Sequence, residues 1–387
     1  MKRSRGPLVS LSLLALAAGY FFASRLGLVD RLKAKLWPPA VTVKLSPGDF
    51  PAGVAAPFDD YASLPLRPTV IGFTPRGSSA ALLLATNGSG PGEAGRADGL
   101  FRQAYALDAR AIVYLREEDL RRALAMGGEA GGVDMAAVSV DRLAQWAASL
   151  RDAAPRTVML LGRSRGQEAL AAVGVSTLAE LKGKRIAAYP QSSAYFFALW
   201  LLSRSGLSLG DVRWVELGSS AEAGAALREG RADAVAGMFG DVELAAKDRG
   251  GVVLATTADS PHLVATVLVV RGEFAARYPD AVRRAIRGLL DAGATIAKEP
   301  TAAARLLGEV APYLGDPTEA VKSAPPAQLK DNLAFFGLAG ESPVTYDELF
   351  HSAAALAVKI GKTATPIAPE DTRDLGALKY VAEARGP

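Results

Sequence analysis

The sequence predicts an α/β fold with two lobes of similar wiring around one cleft. Short apolar strands recur along the chain; each passes into a turn bearing Gly, Ser or Pro, and many of these turns open a helix. Two of these units also resemble each other. Asp134-Met135-Ala136-Ala137-Val138 and Asp233-Ala234-Val235-Ala236 both follow a Gly-bearing turn and lead through a polar residue into a helix. At 387 residues, 50% of them apolar, the chain is long enough for two ordinary cores.

Composition narrows the function. No cysteine occurs, which excludes a disulfide framework, a Cys-ligated metal, a Cys nucleophile and a lipid anchor on an N-terminal Cys. Only His262 and His351 are present, so a His-rich metal centre is excluded and no cofactor is expected. The net charge of +4 is spread along the chain, with no basic block interleaved with aromatics, so nucleic-acid binding has no support.

Taken in order, the chain opens with Lys2, Arg3 and Arg5 ahead of an apolar run from residue 8 to 23. Residues 1–36 are therefore expected to be a membrane anchor, with a cleaved signal as the alternative. Trp37-Pro38-Pro39 stops that helix, and the Pro-bearing residues 37–67 are expected to be a spacer. A strand at 69–73 runs through Thr74-Pro75-Arg76-Gly77-Ser78-Ser79 into a helix at 80–85. Arg76 suits bidentate pairing with an oxyanion or carboxylate, or else is a solvated loop arginine. Gly90-Pro91-Gly92-Glu93-Ala94-Gly95 matches a dinucleotide fingerprint only formally, because a helix precedes it and Pro interrupts it. Strands are expected at 108–114, 133–139 and 156–161, with helices at 118–126 and 142–150.

The second half is organised around residues 176–244. A strand at 186–189 turns at Pro190-Gln191, and Ser192-Ser193 open a helix over 194–202. Unpaired N–H groups at that helix start, on the positive end of its dipole, form either an ordinary Ser cap or an anion site. A strand within 207–215, a helix at 220–227 and a strand at 231–236 follow. Asp241 then stands at the next helix start, where it is most simply an N-cap. Strands at 252–255 and 263–270 precede helices at 273–297, broken at Pro279, at 301–310 and at 346–360.

The runs LKGKRIAAYPQSSAYFFALWLLSRSGLSLGDVRWVEL, ALREGRADAVAGMFGDVELAAK and LVVRGEFAARYPDAVRRAIRGLLDA resemble the substrate-binding proteins of nitrate/sulfonate/taurine-type ABC importers, whose relatives bind thiamine precursors. The likeness is densest from Leu181 to about Ala292. It implies a type II periplasmic-binding-protein fold with two crossover strands as a hinge. The first lobe would comprise 68–161 plus 264–387, and the second 162–263. It also implies a monomeric extracytoplasmic protein, periplasmic and held at the inner membrane, that closes on a small polar or anionic solute and serves an ABC permease. Thr74, Arg76, Ser78, Ser139, Ser164, Ser192, Ser193 and Asp241 are the expected solute contacts, and no catalysis is expected. A membrane-tethered ligand sensor, or a scaffold without transport, is the alternative.

One rival comes from a motif. Gly162-Arg163-Ser164-Arg165-Gly166 is formally the nucleophile elbow of a serine hydrolase, with His262 or His351 downstream. No oxyanion-loop motif accompanies it, and a Ser without a well-placed base is a poor nucleophile.

Overall fold

The computed structural model describes residues 64–86, 99–363 and 366–385. The expected anchor, most of the spacer and the Gly-rich insertion lie outside the described residues. Among the described residues, no helix is long and apolar enough to cross a membrane.

Ten strands form two five-stranded mixed sheets, one per lobe. The first has the order β2-β1-β3-β10-β4, made of Ala109–Val113, Thr69–Phe73, Met135–Ser139, Ala265–Val270 and Arg156–Arg163. The second has the order β7-β6-β8-β5-β9, made of Arg213–Glu216, Arg185–Ala188, Ala234–Met238, Glu168–Ala172 and Val252–Thr256. In each sheet the first three strands are parallel, and the fourth pairs antiparallel with the third. The two sequence-related segments are β3 and β8, which hold the same third position in their sheets. Their likeness reflects equivalent wiring.

The chain crosses between sheets twice, from β4 to β5 and from β9 to β10. Strand β10 is buried along its whole length, which explains its apolar sequence, broken only by Thr266, whose hydroxyl is bonded by Ser78. Helices cover both faces of each sheet. In the second lobe, Ser193–Arg204 packs on one face with Phe197 and Leu202, while Ala223–Arg228 and Phe239–Asp248 pack on the other with Leu227 and Val242.

Three expectations need correction. Residues 168–172 form a strand, where the elbow reading needed a helix; their alternation pairs with β8 and β9, and tertiary pairing wins over the local motif. The strand expected within 207–215 is confined to Arg213–Glu216, because Ser208 and Asp211 build a reciprocal capping box over a 3-10 turn. The helix expected at 142–150 starts at Val140 and ends at Trp146, continuing as a 3-10 stretch.

Among the ties between strand β4 and the C-terminal helices is the buried side chain of Asn332. Asn332 Oδ1 accepts from the Leu160 N–H at 2.7 Å, and its Nδ2 donates to the Leu160 carbonyl at 3.0 Å. The amide thus replaces a missing strand neighbour. Asn332→Ala should strand two buried backbone groups and lower the unfolding free energy by about 2–3 kcal/mol, measured by denaturant titration with the m-value unchanged.

Candidate functional site

The parallel strands of both sheets end on the same side, and polar residues follow those ends. This is where open α/β sheets bind ligands. Thr74 and Arg76 follow β1, Glu117 follows β2, and Ser139, Asp141 and Arg142 lie at the end of β3. Ser192 and Ser193 follow β6 in the other lobe, and Glu168 opens β5.

These residues converge on the Arg76 guanidinium. Nη2 pairs with Glu117 Oε1 at 2.8 Å within its own lobe. Nη1 reaches the opposite lobe, to Glu168 Oε1 at 3.3 Å and Ser193 Oγ at 3.1 Å. Ser193 in turn donates toward Ser139 Oγ at 3.1 Å and Asp141 Oδ1 at 3.4 Å. Arg142, with no exposed surface, pairs with Asp141 at 2.9 Å and donates to the Pro190 carbonyl at 3.1 Å. The lobes are therefore in direct polar contact. Two guanidinium groups meet three carboxylates there, and Arg76 is only 9% exposed.

Of the expected residues, Arg76, Ser139 and Ser193 meet across the cleft. Thr74 is beside them and donates to Glu117 Oε1 at 3.1 Å. Ser78 is buried but bonds Thr266 Oγ1 at 2.9 Å, inside its own lobe. Ser164 shares a 2.6 Å hydrogen bond with Thr257 and accepts from the Gln167 N–H, between the two crossings. Ser192 is the cap: its Oγ accepts from the Tyr195 N–H and donates to the Tyr189 carbonyl. Asp241 does not cap its own helix, whose N-cap is Met238. It accepts from the Gly224 N–H at 2.7 Å at the start of the neighbouring helix, and from Arg228 at 3.5 Å. His262 gives the elbow no base, since its Nδ1 bonds Arg163 Nη1 at 3.1 Å.

Sequence reasoning missed Glu117, Asp141, Arg142 and the ionic role of Glu168. Their one local signal is position, since charged residues directly beyond parallel strands point into the cleft region. Two of their atoms, Glu117 Oε2 and Arg142 Nη2, are buried and without a hydrogen-bond partner among the described residues.

The architecture is that of type II periplasmic binding proteins. Residues 163–303 match the family model described as NMT1/THI5 like, and this stretch contains the densest part of the resemblance read from the sequence. No curated protein matches the chain in sequence. Among solved structures, the alkanesulfonate-binding protein SsuA from Xanthomonas axonopodis pv. citri, bound to MOPS, is similar with a TM-score of 0.61 and 19% identity, covering 80% of this chain and 99% of its own. The periplasmic nitrate-binding protein NrtA from Synechocystis PCC 6803 is similar with a TM-score of 0.55 and 14% identity, covering 79% and 93%. The desulfurization enzyme DSZB shares the fold at a TM-score of 0.54 and 14% identity, covering 82% and 100%. The fold therefore serves both binding proteins and an enzyme.

Burial pushes the Glu168 carboxyl above the ordinary carboxylate range, and Arg76 and the Ser164 and Thr257 hydroxyls oppose that shift without cancelling it. The folded chain thus keeps this proton at pH values where the unfolded chain has lost it. Ionising Glu168 costs stability as pH rises from the ordinary glutamate value of about 4.3 toward its raised folded value. The unfolding free energy of the natural chain, relative to that of Glu168→Gln, should fall as pH rises above the ordinary glutamate value of about 4.3. A difference that stays flat with pH would contradict the assignment.

Proposed function

We propose that this chain is an extracytoplasmic solute-binding protein that closes its two lobes on a small polar solute for ABC-type import. The observation that carries the reading is the interlobe cluster, in which Arg76 of one lobe contacts Glu168 and Ser193 of the other. A cleft whose polar groups come from both sides couples occupancy to lobe position. That coupling is what a receptor read by a membrane partner requires.

The unsatisfied atoms point to the solute's handles. Arg142 Nη2 is a buried donor suited to an oxyanion, and Glu117 Oε2 is a buried acceptor suited to an N–H. A solute carrying both groups, as taurine does, uses both; a sulfonate or nitrate uses the first. Alkanesulfonate and nitrate are what two similar proteins are named for binding, which supports this class.

Transport follows from closure being read by a permease, with the chain working as a monomer in the periplasm. Residues 68–161 with 264–387 form one lobe in this proposal, and 162–263 the other. An N-terminal anchor at residues 1–36, with 37–67 as spacer, would hold it at the inner membrane. The same closure would equally serve a tethered sensor.

The test is thermal unfolding of the full chain against taurine, alkyl sulfonates, nitrate, bicarbonate, carboxylates and aminopyrimidines at millimolar concentration. A solute at 100 times its Kd stabilises by about 2.7 kcal/mol, which raises the midpoint by several degrees. The expected result is a shift from an oxyanion-bearing solute that Ser193→Trp abolishes. No shift from any solute would overturn the receptor reading.

A further inference from the structure

The charged side chains that meet where the lobes touch do not balance. On the first lobe Arg76 is bonded to Glu117 at 2.8 Å and Arg142 to Asp141 at 2.9 Å, so each guanidinium already has a carboxylate of its own lobe. Glu168 arrives from the other lobe as a third carboxylate, 3.3 Å from Arg76 Nη1 and only 1% exposed. Closing the lobes thus places one surplus negative charge in a site shielded from water. A buried carboxylate in excess of its cations is relieved by taking a proton.

The surroundings of Glu168 offer little other relief. Arg76, from the turn after β1, is the one cation bonded to it among the described residues, and Glu117 shares that guanidinium. Asp141, on the Val140–Trp146 helix, adds a like charge. Ser193 bonds the same Arg76 Nη1, Ser164 and Thr257 bring hydroxyls from the two crossings, and β8 sets Met238 opposite. Arg165, three residues back along the first crossing, is exposed to water.

The geometry has room for the proton without loss of the contact between lobes. Glu168 Oε1 faces Arg76 Nη1, whereas Oε2 faces the Thr257 hydroxyl at 3.3 Å. A proton on Oε2 leaves Oε1 accepting from Arg76 as before, and the surplus charge is gone.

We propose that closure of the lobes takes up one proton, carried by Glu168, so that the closed receptor is favoured as pH falls and is lost as pH rises. This rests on the reading of the chain as a receptor whose lobes part and close. Parting the lobes removes the pull of Arg76 on Glu168, and with it the burial that outweighs that pull. The closed form therefore holds the proton to higher pH than the open form, which returns toward the ordinary glutamate value of about 4.3. Between those two values the ratio of closed to open chains falls by up to about tenfold per pH unit. A solute that binds the closed form inherits the same dependence, and the coupling is reciprocal.

The test is energy transfer in solution between pH-insensitive dyes on Leu115→Cys and Ala221→Cys of the full chain, which has no cysteine of its own. Without added solute, transfer should fall as pH rises from about 4.5 to about 8. Glu168→Gln, which copies the protonated side chain, should keep high transfer throughout. If circular dichroism shows that variant misfolded, Glu168→Met, equally uncharged, takes its place and should likewise be flat with pH. A fall with pH that either uncharged variant retains overturns the proposal, because the proton then sits elsewhere. Constant transfer in the natural chain overturns it as well. Glu168→Leu with Ser193→Ala then separates the two failures: lower transfer in that variant shows that the lobes part without a proton, and unchanged transfer removes the receptor reading too.

Discussion

The arrangement of the two lobes depends on one buried guanidinium. Arg76 is fixed by Glu117 on its own side and directs its Nη1 donors to Glu168 and Ser193 of the other. Taking these charges out of water is expensive, and the attraction between them repays that cost only where geometry and hydrogen bonds are good. Such a cluster is a weak source of stability and a strong source of register. An apolar contact would let the lobes slide; a planar fork with fixed donor directions permits few relative positions. The raised pKa of Glu168 expresses the same balance, because its burial outweighs its partner.

The cluster forms where it does because of strand direction. Parallel strands β1, β2 and β3 deliver their C-terminal ends to one edge of the first sheet, and β6, β7 and β8 do the same in the second. The loops at those ends are free to vary while the sheets stay fixed. Specificity is thereby confined to a few side chains on a rigid frame. The crossings run beside β4, β5, β9 and β10, so the cleft opens on the opposite side, near β2 and β7.

Much of this was legible in the sequence. Apolar runs of four to eight residues bounded by turns marked nearly all the strands, and the Ser192 cap was visible as a Ser at the junction of strand and helix. Arg76 was recognisable as a carboxylate or oxyanion binder because it sits in a turn between strand and helix, although that its partners would be the chain's own Glu117 and Glu168 was not. Those pairs join residues 41 and 92 positions apart, and no local spacing encodes them. Asp241 misled for the converse reason. Its helix-start position suggests a cap or a cleft contact, whereas its carboxylate serves the helix packed beside it. The elbow at Ser164 failed because strand pairing, decided by distant β8 and β9, overrides a five-residue pattern.

The most direct measurement is the distance between the lobes at the cleft mouth. The absence of native cysteine allows spin labels at Leu115→Cys and Ala221→Cys, exposed positions beyond β2 and β7, the strands farthest from the crossings. In the otherwise natural chain, pulsed electron–electron resonance should give a dominant short distance. Adding Glu168→Leu with Ser193→Ala, which removes both partners of Arg76 Nη1, should move population to longer distances. An unchanged distance distribution would contradict the claim that Arg76 sets the arrangement of the lobes.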